Sequence, residues 1–256
     1  MIIDTHAHFY FPEILDNIDE IIDNASKAGV EKIIIPAVDL RTCDVILELT
    51  SKYEMLYAAL GFHPGDIKDM DESEFLKLET LLKENKVVGI GETGLDYYWD
   101  KTYIEKQKEF FSLHLELAVK HGLPVIIHTR DSVADSIEII NGYRGKVKAQ
   151  FHCFSGTEDE LEKVISCEGF FVSYCGNITY KKFEGIGLVE KTPVGKMLSE
   201  TDSPFLAPMP HRGKKNQPAY VVDTIKKISK IKNIGEEELI AQLRKNTEIV
   251  FPGIFK

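Results

Sequence analysis

Short runs rich in β-branched and aromatic residues alternate along this chain with segments of helical period, and the alternation repeats eight times. The strand-like runs cover residues 2–8, 32–38, 56–63, 87–91, 124–130, 148–154, 170–175 and 197–201. Amphipathic helical stretches are clearest at 16–28, 71–84, 103–120, 132–140 and 158–166, weaker and Gly-broken at 181–190, and present again at 220–230 and 236–244. Strict alternation implies parallel strands joined by right-handed crossovers. Eight such units in 256 residues are the usual size of an α/β chain folded as a (β/α)8 TIM barrel, read here as a single domain over 1–256. A doubly wound open sheet would place a Gly-rich phosphate loop after an early strand. Neither G-x-G-x-x-G nor G-x-x-x-x-G-K-[ST] occurs.

Composition narrows the partners. The apolar share of 43% supports a packed core, and 31 Lys and Arg against 41 Asp and Glu give a formal charge of −10. Such a surface does not attract phosphates generally, so a nucleic-acid role must rest on a local site. The apolar runs are strand-sized, short of the roughly 18 residues a membrane span needs, and the first residues lack the pattern of a secretory leader. The expectation is a cytoplasmic protein without membrane segments. Cys43, Cys153, Cys167 and Cys175 form no C-x-x-C pair and are expected as reduced, buried residues.

The chemistry-bearing residues gather at one end of the expected strands. His6 and His8 end the first strand, His63 the third and His128 the fifth; Glu92 follows the fourth, His152 lies near the end of the sixth, and Asp202 follows the eighth. In a (β/α)8 barrel this rim is where active sites form. Alternation puts His6 with His8, His128 with Arg130, and Glu200 with Asp202 on shared faces. The nitrogen and oxygen donors of His6, His8, Glu92, His128, His152 and Asp202 exceed what one tetrahedral Zn²⁺ holds, which points to two divalent metal ions sharing a bridging carboxylate. Imidazole-rich ligation favours Zn²⁺ or another transition metal, with Mn²⁺ and Mg²⁺ also open. Cys153 is expected to face the helices if its neighbour His152 faces the barrel. Asp4 shares the face of His6 and His8 and is a candidate acceptor for a ligand imidazole. His114 and His121 fall on a helix and read as structural.

Six blocks in order, His6-Ala7-His8, Gly61-Phe62-His63-Pro64, Gly91-Glu92-Thr93-Gly94-Leu95-Asp96, His128-Thr129-Arg130, His152-Cys153-Phe154-Ser155-Gly156 and Glu200-Thr201-Asp202-Ser203-Pro204, resemble the TatD family of metal-dependent hydrolases within the amidohydrolase superfamily. The resemblance spans nearly the whole chain. It implies the same barrel, a divalent-metal centre with ligands at His6, His8, Glu92, His128, His152 and Asp202, and a DNase activity of 3′→5′ exonuclease character. Glu92 takes the bridging role. The expected reaction is phosphodiester hydrolysis by a metal-activated water at the end of single-stranded DNA, with Asp202 as general base. His63, Arg130, Arg212 and Lys214 are the candidate phosphate contacts. The alternatives are a D-aminoacyl-tRNA deacylase, a hydrolase of small amides, lactones or phosphotriesters, and a noncatalytic metal-dependent binding module.

Overall fold

Eight parallel strands run in sequence order around a barrel in the computed structural model, which describes residues 1–256. They are β1 (Ile2–Asp4), β2 (Val30–Pro36), β3 (Leu56–Leu60), β4 (Val87–Asp96), β5 (Val125–Arg130), β6 (Ala149–Phe151), β7 (Phe170–Tyr174) and β8 (Met197–Ser199). The helices are α1 (Pro12–Leu15), α2 (Ile18–Lys27), α3 (Leu40–Lys52), α4 (Ser73–Leu81), α5 (Ile104–His121), α6 (Val133–Asn141), α7 (Glu158–Ile165), α8 (Ile186–Lys191), α9 (Val221–Lys232) and α10 (Glu236–Val250). The expected (β/α)8 barrel is the observed fold. No helix is long and apolar enough to cross a membrane.

Backbone and side-chain hydrogen bonds close the seam between β8 and β1. The Thr5 amide and hydroxyl both donate to the Ser199 carbonyl, and the Ser199 hydroxyl donates to the Ile3 carbonyl. Beyond the strand ends, Ala7 and Ser203 continue the pairing in parallel.

Strand alternation sorts the side chains into two cores. Ile33 and Ile35 of β2 face the helices, whereas Ile34 faces the barrel interior with Ile3, Val88, Ile126, Phe171 and Leu198. Val250, Phe251 and Ile254, from the end of α10 and the turn after it, join this inner cluster and plug the barrel floor. Above the floor lies a polar layer. The Gln150 amide donates to Thr5 Oγ1, Ser173 Oγ and Glu200 Oε2, all buried.

Several elements depart from the sequence reading. Helix α3 falls where no helix is marked above; its signals are a capping box between Asp39 and Thr42 and buried Thr42, Cys43, Ile46, Leu49 and Thr50 at helical spacing. Strands β1, β3, β6 and β8 are shorter than expected because the chain leaves regular pairing at the rim, whereas β4 is longer because it stays paired with β5 as far as Asp96 and Arg130. Cys153 and Asp202 adopt positive φ angles of 44° and 57° there, which ends the alternation.

Candidate metal centre

The rim brings His6, His8, Glu92, His128, His152 and Asp202 into one cluster. Glu92 is central and almost fully buried, 3% exposed. Its Oε2 lies 3.4 Å from His6 Nε2 and 3.6 Å from His8 Nε2, while Asp202 Oδ1 lies 3.7 Å and 3.3 Å from the same two nitrogens. Its Oε1 faces a different set: His128 Nδ1 at 2.8 Å, His152 Nε2 at 2.9 Å and His63 Nε2 at 3.7 Å. The two oxygens of one carboxylate thus address two groups of imidazoles.

The donor spacing fits a divalent transition metal. Zn–N and Zn–O bonds of about 2.0–2.1 Å put neighbouring donors on a tetrahedron about 3.4 Å apart. His6 Nε2 and His8 Nε2 stand 3.1 Å apart, and their separations from Glu92 Oε2 and Asp202 Oδ1 span 3.3–3.7 Å. Burial alone would raise the pKa of Glu92, yet the imidazoles around it, His152 foremost and with a hydrogen bond to His128, hold its carboxyl well below the usual range. Burial also opposes ionisation of Asp202, and a hydrogen bond from His8 with the neighbouring His6 and His152 imidazoles keeps it below the ordinary carboxylate value. Burial, with His128 adding to it, pushes His63 down to about 3 and leaves it neutral. Two ionised carboxylates amid imidazoles make a cation-binding donor set.

A family model described as TatD related DNase matches residues 3–252. The chain belongs to the TatD family. It is 35% identical to the metal-dependent hydrolase YabD of Bacillus subtilis over 98% of this chain and 99% of that one. The crystal structure of YjjV, a TatD homologue from Escherichia coli K12, superposes with a TM-score of 0.93 at 30% identity, covering 98% of both chains. A TatD-family hydrolase from Entamoeba histolytica gives a TM-score of 0.86 at 25% identity, over 98% of this chain and 97% of that one. This TatD-family barrel is accordingly placed among metal-dependent hydrolases.

Three neighbours of the centre in this TatD-family chain have roles that the sequence reading did not assign. Asp96 Oδ2 lies 2.9 Å from His128 Nε2 and orients that imidazole from behind. Its signal was available, since Glu92, Gly94 and Asp96 share one strand face. Gly94 between them, at φ 132°, lets β4 approach β5 closely; a Cβ there would stand 2.2 Å from the His128 carbonyl oxygen. Glu200 sits beneath the centre, accepting from Gln150, Ser173 and the Cys153 amide, with Oε1 3.6 Å from His152 Nδ1. The Tyr10 hydroxyl is 2.9 Å from His8 Nδ1.

Other expected placements change. Asp4 touches no imidazole; it accepts from the His6 and Thr201 amides and the Thr201 hydroxyl, tying β1 to β8. Cys153 turns away from the helices because of its positive φ, and its sulfur is 2.6 Å from that of Cys175 at the rim. His63 and Arg130 line a cavity of about 620 Å³ over the centre, with Tyr10, Phe11, Trp99 and Phe205. Arg212 and Lys214 do not. Asn216 Nδ2 donates to the Thr201 and Phe205 carbonyls, and His211 stacks on Tyr220, so the residues between them are held outward. Arg212 lies over the Tyr180 ring in a separate cavity of about 730 Å³, and Lys214 is exposed.

Proposed function

We propose that this TatD-family protein is a divalent-metal-dependent phosphodiesterase that shortens single-stranded DNA from the 3′ end. The observation that carries it is Glu92, whose two oxygens serve two separate ligand groups on the floor of a rim pocket. His6, His8, Asp202 and Glu92 Oε2 would hold one ion; His128, His152 and Glu92 Oε1 would hold the other. Bound there, the ions supply Lewis acidity that lowers the pKa of water and offsets charge developing on phosphoryl oxygens. Asp202 borders the pocket as an ionised carboxylate, suited to accept the proton of the attacking water. Arg130 at the rim supplies a permanent cation for a phosphate, and neutral His63 a hydrogen-bonding group beside it. The family description as a DNase supports this choice of ester. A pocket closed in by rim loops admits a chain end more readily than the middle of a duplex.

Metal-reconstituted protein is incubated with linear strands labelled at either end, circular single-stranded DNA, a D-aminoacyl-tRNA and a panel of small lactones. Progressive loss of 3′ nucleotides from the linear strand, with the circle resistant, is the expected result. Equal rates on circle and line would replace the exonuclease by an endonuclease. Turnover confined to the aminoacyl ester or a lactone would remove the nuclease reading altogether.

A further inference from the structure

Three aromatic side chains of this protein are exposed, Trp99 at 72%, Tyr98 at 55% and Phe205 at 48%, and all stand at the barrel mouth. Trp99 and Phe205 line the pocket over the candidate centre, and Tyr98 lines the groove beside it. Every other Phe and Tyr is at least partly buried. Burying a large apolar side chain contributes about 1.5–3 kcal/mol, so clustering the exposed rings around one opening marks a surface kept free for a ligand.

The cluster is held in place. Asp96 Oδ1 accepts hydrogen bonds from the Tyr98 and Trp99 amides at 2.9 and 3.2 Å, while the other oxygen of the same carboxylate meets His128. One buried side chain therefore sets the position of the ring pair relative to a candidate ligand. The two rings stand at right angles with centroids 5.1 Å apart. The Arg130 guanidinium covers Tyr98 at 3.9 Å and lies 5.3 Å from the Trp99 ring. Trp99 thus offers an indole at the pocket edge with a permanent cation beside it.

We infer that Trp99, with Arg130 alongside, is the stacking site for an unpaired nucleobase next to the scissile phosphodiester. The inference rests on the nucleic-acid reading of the centre given above. Bases inside a duplex have both faces covered, so an aromatic platform selects unstacked bases, and it does so with any of the four because each has a π-face. With a net charge of −10 the chain cannot hold a polyanion by a broad basic surface, and base stacking supplies attraction that needs no further cations. Phe205, across the pocket and edge-on to Phe11, bounds the space such a base would enter.

Trp99 is the single tryptophan of the chain, so intrinsic tryptophan fluorescence reads this platform alone. The metal-loaded protein is titrated with a phosphorothioate oligothymidylate, which resists hydrolysis, and with the same strand carrying abasic residues at its 3′ end. Affinities are read from the anisotropy of a dye at the 5′ end. The base-bearing strand is expected to quench the indole and to bind about 5–100-fold more tightly than the abasic one. Trp99→Ala should abolish that preference and Trp99→Phe restore most of it, with metal content measured in the same samples. Equal binding of the two strands with no quenching, by protein that still digests linear DNA, would overturn the platform and leave the nuclease reading intact. Quenching and base preference in protein that cleaves no phosphodiester would keep the platform and overturn the nuclease reading instead.

Discussion

The two ends of this barrel are made by the same strands and are chemical opposites. At the floor, Val88, Ile126, Phe171 and Leu198 close around Val250, Phe251 and Ile254, and the phenol of Tyr57 is the one ionisable group in that cluster. At the mouth, the strand ends carry His128, His152, Glu92 and Asp202 packed against one another. The polar layer of Thr5, Gln150, Ser173 and Glu200 lies between. Apolar closure at one end secures the barrel against the unfavourable burial of carboxylates and imidazoles at the other. Substitutions at the floor should therefore act on stability, and those at the mouth on metal content and turnover.

The largest expected effect is at the mouth. Glu92→Gln keeps the shape of the side chain and removes the charge that both ligand groups share. Elemental analysis should show metal lost and turnover should fall by about 10³-fold or more, beyond the 10–100-fold typical of residues behind a ligand, while circular dichroism stays native. Full metal content with unchanged turnover would remove Glu92 from the centre. At the floor, Phe251→Ala should cost about 3–5 kcal/mol in urea unfolding, with metal content per folded molecule unchanged. Loss of metal in folded Phe251→Ala protein would show that the two ends are not separable.

A third test lies on α5, outside the barrel. Buried His114 accepts from the Phe62 amide through Nε2, and its Nδ1 lies against the Phe110 carbonyl and Thr93 Oγ1, so the neutral ring is satisfied. Burial pushes its pKa down to about 4. Between that value and about 6.5 the unfolded chain binds the extra proton and the folded chain does not. The contribution is fully present above about pH 6.5 and is lost as pH falls towards 4, by about 3 kcal/mol in all. His114→Gln should flatten the stability curve over that window; a curve of unchanged slope would mean that His114 is not the group responsible. The smallest effect is expected at Asp96→Asn, which loosens His128 without removing a ligand and should weaken metal affinity by about 10–100-fold. Unchanged affinity would sink the orienting role of Asp96.

The order of strands and the ring of rim residues were legible because both follow from periodicity. Ile33, Ile34 and Ile35 divide between the two cores as alternation requires, and the pair His6 and His8 shares a face for the same reason. What was not legible lies where periodicity stops. The reversed side of Cys153 depends on a positive φ that no residue type demands. The outward display of Arg212 and Lys214 depends on Asn216 reaching carbonyls fifteen and eleven residues back along the chain. Asp4, expected at an imidazole, binds amides because the seam between β8 and β1 brings Thr201 closer than any ring.

That seam sets the terms on which the centre forms. His6 and His8 lie just beyond Thr5 on one side of it and Asp202 just beyond Ser199 on the other, and the bonds that join Thr5 to Ser199 span 194 residues. A cation shared by these three side chains would act as a clasp on the largest loop in the molecule. Bringing such distant segments together is entropically costly, and whatever binds only the joined form stabilises it by mass action. Loading of the centre and circular closure of the sheet would then be one equilibrium, and the thermal midpoint of the protein would report how much cation it carries.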